Sequence, residues 1–156
     1  MLDSPQVIAT LIGAVVGVLL GVIVSELKEW WWRTRRRKAH WRALSAEVEI
    51  CREMAEIFLR DGVGAPLYRL PTLSYLNSFP ALLESGATTE RDTRAVTQFY
   101  NQVESLNRGL DQANDARSDA QTLNGEYSRN RLKAENLVGA VSYYSSVRQV
   151  LDRCAD

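Results

Sequence analysis

Hydrophobic residues fill the beginning of the chain without a break. Val7–Val24 reads VIATLIGAVVGVLLGVIV, with Thr10 as its only polar side chain and no charge. Eighteen helical residues rise roughly 27 Å, against a hydrocarbon core of about 30 Å. The pattern therefore predicts an N-terminal transmembrane helix. A cleaved signal peptide fits less well, because MLDSPQ carries no Lys or Arg and no A-x-A site follows the apolar run. Beyond it the pattern changes to a helical seam. Trp41, Leu44, Val48, Cys51, Ala55 and Phe58 recur at alternating spacings of 3 and 4, as in a heptad, and Ile50, Met54 and Ile57 widen that face. No Pro interrupts Val7–Arg60, and no Gly follows Gly21 within it. One helix is expected to run from the membrane into the cytosol.

Further along, DGVGAPLYRLP (Asp61–Pro71) reads as a loop. Thr72–Phe79 predicts a short helix, and a second begins at Phe79-Pro80 and stops at Gly86. Thr89 and Asp92 form a loose capping box for a helix whose apolar face is Val96, Phe99, Tyr100, Val103, Leu106, Leu110 and Ala113. Asn124-Gly125 predicts the turn of an antiparallel helical hairpin. The last helix, Glu126–Arg153, carries Leu137, Val141, Tyr144, Val147 and Leu151. Together with Trp41–Arg60 these make a three-helix bundle, with the Thr72–Ser85 pieces covering one end. The fold class is all-α: a single N-terminal transmembrane helix continuing into a cytosolic antiparallel helical bundle. Residues 1–32 form the anchor, 33–40 a basic juxtamembrane segment and 41–156 the bundle.

Charge adds direction to this picture. The chain has 19 basic and 19 acidic residues, a balance that argues against a partner such as a long nucleic acid. Arg33, Arg35, Arg36, Arg37, Lys38 and Arg42 follow the apolar run, which places that side in the cytoplasm and the N-terminus outside, in the inner (plasma) membrane. Trp30, Trp31 and Trp32 stand between the apolar run and the basic residues, as an interfacial belt does. The basic run also attracts anionic lipid. Within the apolar run, Ala9, Gly13, Gly17, Gly21 and Ser25 repeat every four residues. Such a stripe lets helix backbones pack closely and predicts a homo-oligomer.

Candidate chemistry is sparse. Asp111, Asp115 and Asp119 share a helix face, but no Glu-x-x-His motif accompanies them, and a solvated face explains them. Arg129, Arg131 and Lys133 are a small basic cluster that an anion or an acidic partner would fit. The single His, His40, lies among arginines beside the membrane, so no Ser-His-Asp arrangement is expected. Cys51 and Cys154 are expected to remain free thiols in a reducing cytoplasm. No Walker loop or dinucleotide fingerprint is present. These observations predict no enzyme, no cofactor and no metal. They predict a membrane-anchored scaffold that self-associates and docks a partner through its bundle; the rival reading is an oligomeric, ligand-gated membrane effector.

Overall fold

Five helices and no strand make up the described residues of the computed structural model, which are 5–61, 69–115, 120–139 and 143–155. The side chains of 5–13, 61, 120–123 and 155 lie outside the described residues. The helices are α1 (Pro5–Asp61), α2 (Leu73–Glu84), α3 (Glu90–Asp115), α4 (Ala120–Val138) and α5 (Tyr143–Ala155). The chain divides into two units, Met1–Arg36 and Arg37–Asp156.

The first unit is helical from Pro5, and its described large apolar side chains are uncovered. Val15, Val16, Val18, Leu19, Leu20, Val22, Ile23, Val24, Leu27 and Trp30–Trp32 are all exposed. Among the described residues no helix is long and apolar enough to cross a membrane. Val7–Gly13, the rest of the apolar run in the sequence, have side chains outside the described residues.

The second unit is a helical bundle. Its core takes one face of each helix, and the α1 seam is used within it: Trp41, Leu44, Val48, Cys51, Ala55 and Phe58 are all buried. Large apolar side chains such as Leu44, Val48 and Phe58 contribute about 1.5–3 kcal/mol each when fully removed from water. Ile50, expected to widen that face, is instead exposed. Val96, Phe99, Tyr100, Val103, Leu106 and Leu110 of α3 are buried, as are Leu137 of α4 and Val147 and Leu151 of α5.

The predicted hairpin needs correction at its tip. The helix α4 passes straight through Asn124-Gly125, so the turn does not lie there; α3 ends at Asp115 and α4 begins at Ala120. Asn-Gly is a turn signal chiefly between twisted strands. In an exposed helical position its glycine costs only about 1 kcal/mol, which the packing of α4 outweighs. The single last helix is also two. It breaks after Val138, and α5 begins at Tyr143. Both segments still run antiparallel to α3, since Lys133 reaches Ser105 and Gln102 while Arg153 reaches Asp92.

The region expected to cover one end forms one helix, α2, with Pro80 inside it. Pro80 and Leu76 are exposed, so the Leu76 carbonyl that proline leaves without an N–H sits on the water side. Contacts from Arg37–Ser85 at one end to Cys51–Pro71 at the other lay α2 alongside α1, antiparallel to it. Its C-terminus closes in a Schellman arrangement. Ala87 N–H donates to Leu82 O, Gly86 N–H donates to Leu83 O, and Gly86 takes φ 64°.

At Gly109, α3 leaves no room for a side chain against α4. A Cβ there would stand 1.9 Å from Asn130 Oδ1, and Asn130 is buried. Gly109→Ala is expected to destabilise the bundle by roughly 1–3 kcal/mol and Asn130→Ala to remove most of that extra penalty, measured as a double-mutant cycle in urea unfolding. Strictly additive losses would show that Asn130 does not impose the glycine.

Candidate functional site

The most constrained group in the bundle is Glu47. It follows Leu44 by three residues and precedes Cys51 by four, so it stands on the buried face of α1 and is 4% exposed. Its carboxylate accepts the Ser74 and Tyr75 backbone N–H groups at 2.6 and 3.0 Å and the Tyr100 hydroxyl at 2.8 Å. Thr72, at the N-cap of α2, makes no side-chain cap. Glu47 caps α2 from a different helix. Tyr75 then stacks on Tyr100 at 4.2 Å and on Phe79 at 5.3 Å. Burial, then the neighbouring Glu47, push the Cys51 thiol up to about 12, and the same two influences raise Tyr100. Cys51 is a packed thiol that donates to Pro71 O; Cys51 and Cys154 are both free.

Two further ionic nodes place α5. Glu49 on α1 accepts the Tyr144 hydroxyl at 2.7 Å and Arg148 at 2.5 Å, while Arg52 reaches it at 3.2 Å. Burial raises its pKa, but these donors and guanidinium charges outweigh it and hold the carboxyl below its ordinary value. Asp92 is the other node. It accepts the Thr89 N–H at 3.1 Å, the Thr89 hydroxyl accepts the Asp92 N–H at 3.2 Å, and Arg153 of α5 pairs with the carboxylate. The predicted capping box is thus present with Asp in its acidic position. Burial pushes Asp92 up, and Thr89 together with Arg153 prevails in holding it low.

The residues singled out in the sequence fall into separate places. A Cβ at Gly17 or Gly21 would meet nothing within 4 Å; Ser25 donates to Val22 O within its own helix. The side chains of Ala9 and Gly13 lie outside the described residues. Trp30, Trp31 and Trp32 are exposed, Arg33 pairs with Glu29, and Arg35 lies 4.5 Å over the Trp31 ring. Arg36 is exposed. Arg37 donates to Ser85 O, and Lys38, half-buried, also has a partner.

The cluster Arg129, Arg131 and Lys133 does not converge. Arg129 pairs with Glu126, Arg131 with Glu135, and Lys133 donates to Ser105 O. Asp111 is held by Arg69, Asp115 is exposed, and Asp119 lies outside the described residues. Among the described residues no cluster of metal-ligating side chains occurs. His40 Nδ1 is hydrogen-bonded with the Ser78 hydroxyl at 3.1 Å.

Among the described residues, two clefts on the bundle carry charged side chains in their linings. One, of about 420 Å³, lies between residues 69–76 and α3; its Arg69 and Arg108 are paired with Asp111 and Glu104 of the same lining. The other, of about 400 Å³, lies between α3 and α5 and is lined by Arg91, Arg94, Ala95, Gln98, Ser146, Gln149, Val150 and Arg153. Its two halves are some fifty residues apart in sequence, so spacing gave no sign of it. For Glu47, a sign was present: a carboxylate on the seam face.

No protein-family model, curated protein or solved structure matches the chain.

Glu47→Ala leaves one buried and two half-buried donors without their acceptor and is expected to cost about 2–3 kcal/mol, read from urea unfolding; a loss below about 1 kcal/mol would show that water replaces the carboxylate. For Asp92 the sign follows from its lowered pKa. Its stabilisation is complete above the ordinary carboxylate range and is lost as pH falls through the folded value, so decline begins from about pH 4 downward. Asp92→Asn is expected to start less stable at neutral pH and to lose less on acidification. Parallel stability curves for the two proteins would contradict this.

Proposed function

We propose that the chain is a single-pass, membrane-anchored interaction protein, not an enzyme. Val7–Val24 crosses the inner (plasma) membrane with the N-terminus outside, and the helical bundle stands in the cytoplasm as a docking module. The observation that carries this reading is the uncovered apolar surface of α1. From Val15 to Trp32 every large apolar side chain is exposed, a surface far larger than a water-facing helix ordinarily leaves open. Lipid is the cover that fits a row of Val, Leu and Ile ending in tryptophans and then arginines. Arg33, Arg35 and Arg36 meet the headgroups in this reading. Open space beside Gly17 and Gly21 supports self-association of the anchors.

A C-terminal reporter active only outside the cytoplasm is expected to stay silent, and the full chain is expected to float with membranes and to resist carbonate extraction. Release by carbonate would end the anchor reading. In detergent, a homo-oligomeric mass is expected that Gly17→Leu lowers; a monomeric wild type would exclude self-association.

A further inference from the structure

The two clefts of the bundle differ in one decisive respect. The cleft between residues 69–76 and α3 contains its own carboxylates, and its arginines are spent on them. The cleft between α3 and α5 has three arginines in its lining and no acidic residue. The acidic residues next to its arginines in the chain are Glu90, Asp92 and Asp152, and Asp152 pairs with Arg148 at 2.8 Å. Asp92 is buried and holds Arg153 in place, leaving that guanidinium's side chain 57% exposed. Glu90 pairs with Arg94 at 2.9 Å, but both side chains are largely exposed, and such a pair is worth only about 0–1 kcal/mol. Arg91 has no hydrogen-bond or ion-pair partner among the described residues. Ala95 and Val150 are buried and supply an apolar floor, while Gln98, Ser146 and Gln149 offer amide and hydroxyl groups.

We propose that this cleft binds a phosphorylated small molecule. Arg91 and Arg94 hold its phosphate beside the pre-positioned Arg153, and its body lies over Ala95 and Val150 against Gln98 and Gln149. A phosphate monoester brings a charge of about −1.5 to −2 and three acceptor oxygens; a lone carboxylate would occupy a single guanidinium fork. Displacing Glu90 from Arg94 costs little, so the ligand gains a second cation cheaply. The volume falls within the roughly 300–1,000 Å³ of small-molecule sites. The proposal is independent of the membrane reading, because every residue in it belongs to the bundle.

The test uses the full chain in detergent, with isothermal titration of inorganic phosphate, adenosine monophosphate and adenosine at fixed ionic strength. Adenosine monophosphate is expected to bind at least about tenfold more tightly than adenosine, with phosphate competing. Arg91→Gln/Arg94→Gln is expected to weaken that binding at least about tenfold with an unchanged melting temperature. If the double variant melts lower, Arg91→Gln alone gives the reading, since no partner is lost with it. Failure of both phosphate and adenosine monophosphate to bind at millimolar concentration overturns the proposal, as does binding that the arginine variants leave intact. Binding of an acidic peptide alone overturns it in favour of a protein-docking face.

Discussion

A carboxylate buried in an apolar seam is the constraint on which the bundle is organised. Glu47 stands among Leu44, Val48 and Cys51, where an unpaired charge would cost several kcal/mol. Its partners are two backbone N–H groups at the start of α2 and one phenol on α3. None of these lies on its own helix. The charge is tolerated only when α1, α2 and α3 meet, so one side chain demands the assembly of three elements. The stacking of Tyr75 on Tyr100, the Cys51–Pro71 contact and the course of α2 beside α1 all follow from that meeting.

The break after Val138 is resolved by the same kind of chemistry. Once α5 is separated from α4, it needs its own attachment. Glu49 supplies it from α1, and Asp92 supplies it from the first turn of α3. Asp92 serves its own helix as a cap and a different helix as a counter-ion, so the start of α3 and the end of α5 are ordered together. This arrangement brings Arg153 beside Arg91 and Arg94 and leaves the cleft between the two helices lined with cations.

The other unit has no such internal resolution. From Val15 to Trp32 its large apolar side chains are exposed, and Gly17 and Gly21 face open space. The proposed lipid setting and anchor pairing give that surface the cover it lacks, while the bundle buries the α1 seam within itself.

Periodicity by itself determined the all-helical class, the buried face of α1 from Trp41 to Phe58 and the buried face of α3. It did so because apolar burial at 3.6-residue spacing is a local property of the chain. The Thr89–Asp92 box was legible for the same reason: both partners lie within one turn. Tertiary structure decided where the hairpin turns, because Asn124-Gly125 carries a weak local preference that packing on α3 overrides. It decided that Gly109 is a point of contact, since Asn130 approaches from another element. It also decided the partners of Glu47 and the grouping of Arg91, Arg94 and Arg153. Those depend on residues twenty-seven to sixty-two positions apart, and no pattern along the chain records which distant faces meet when the core closes.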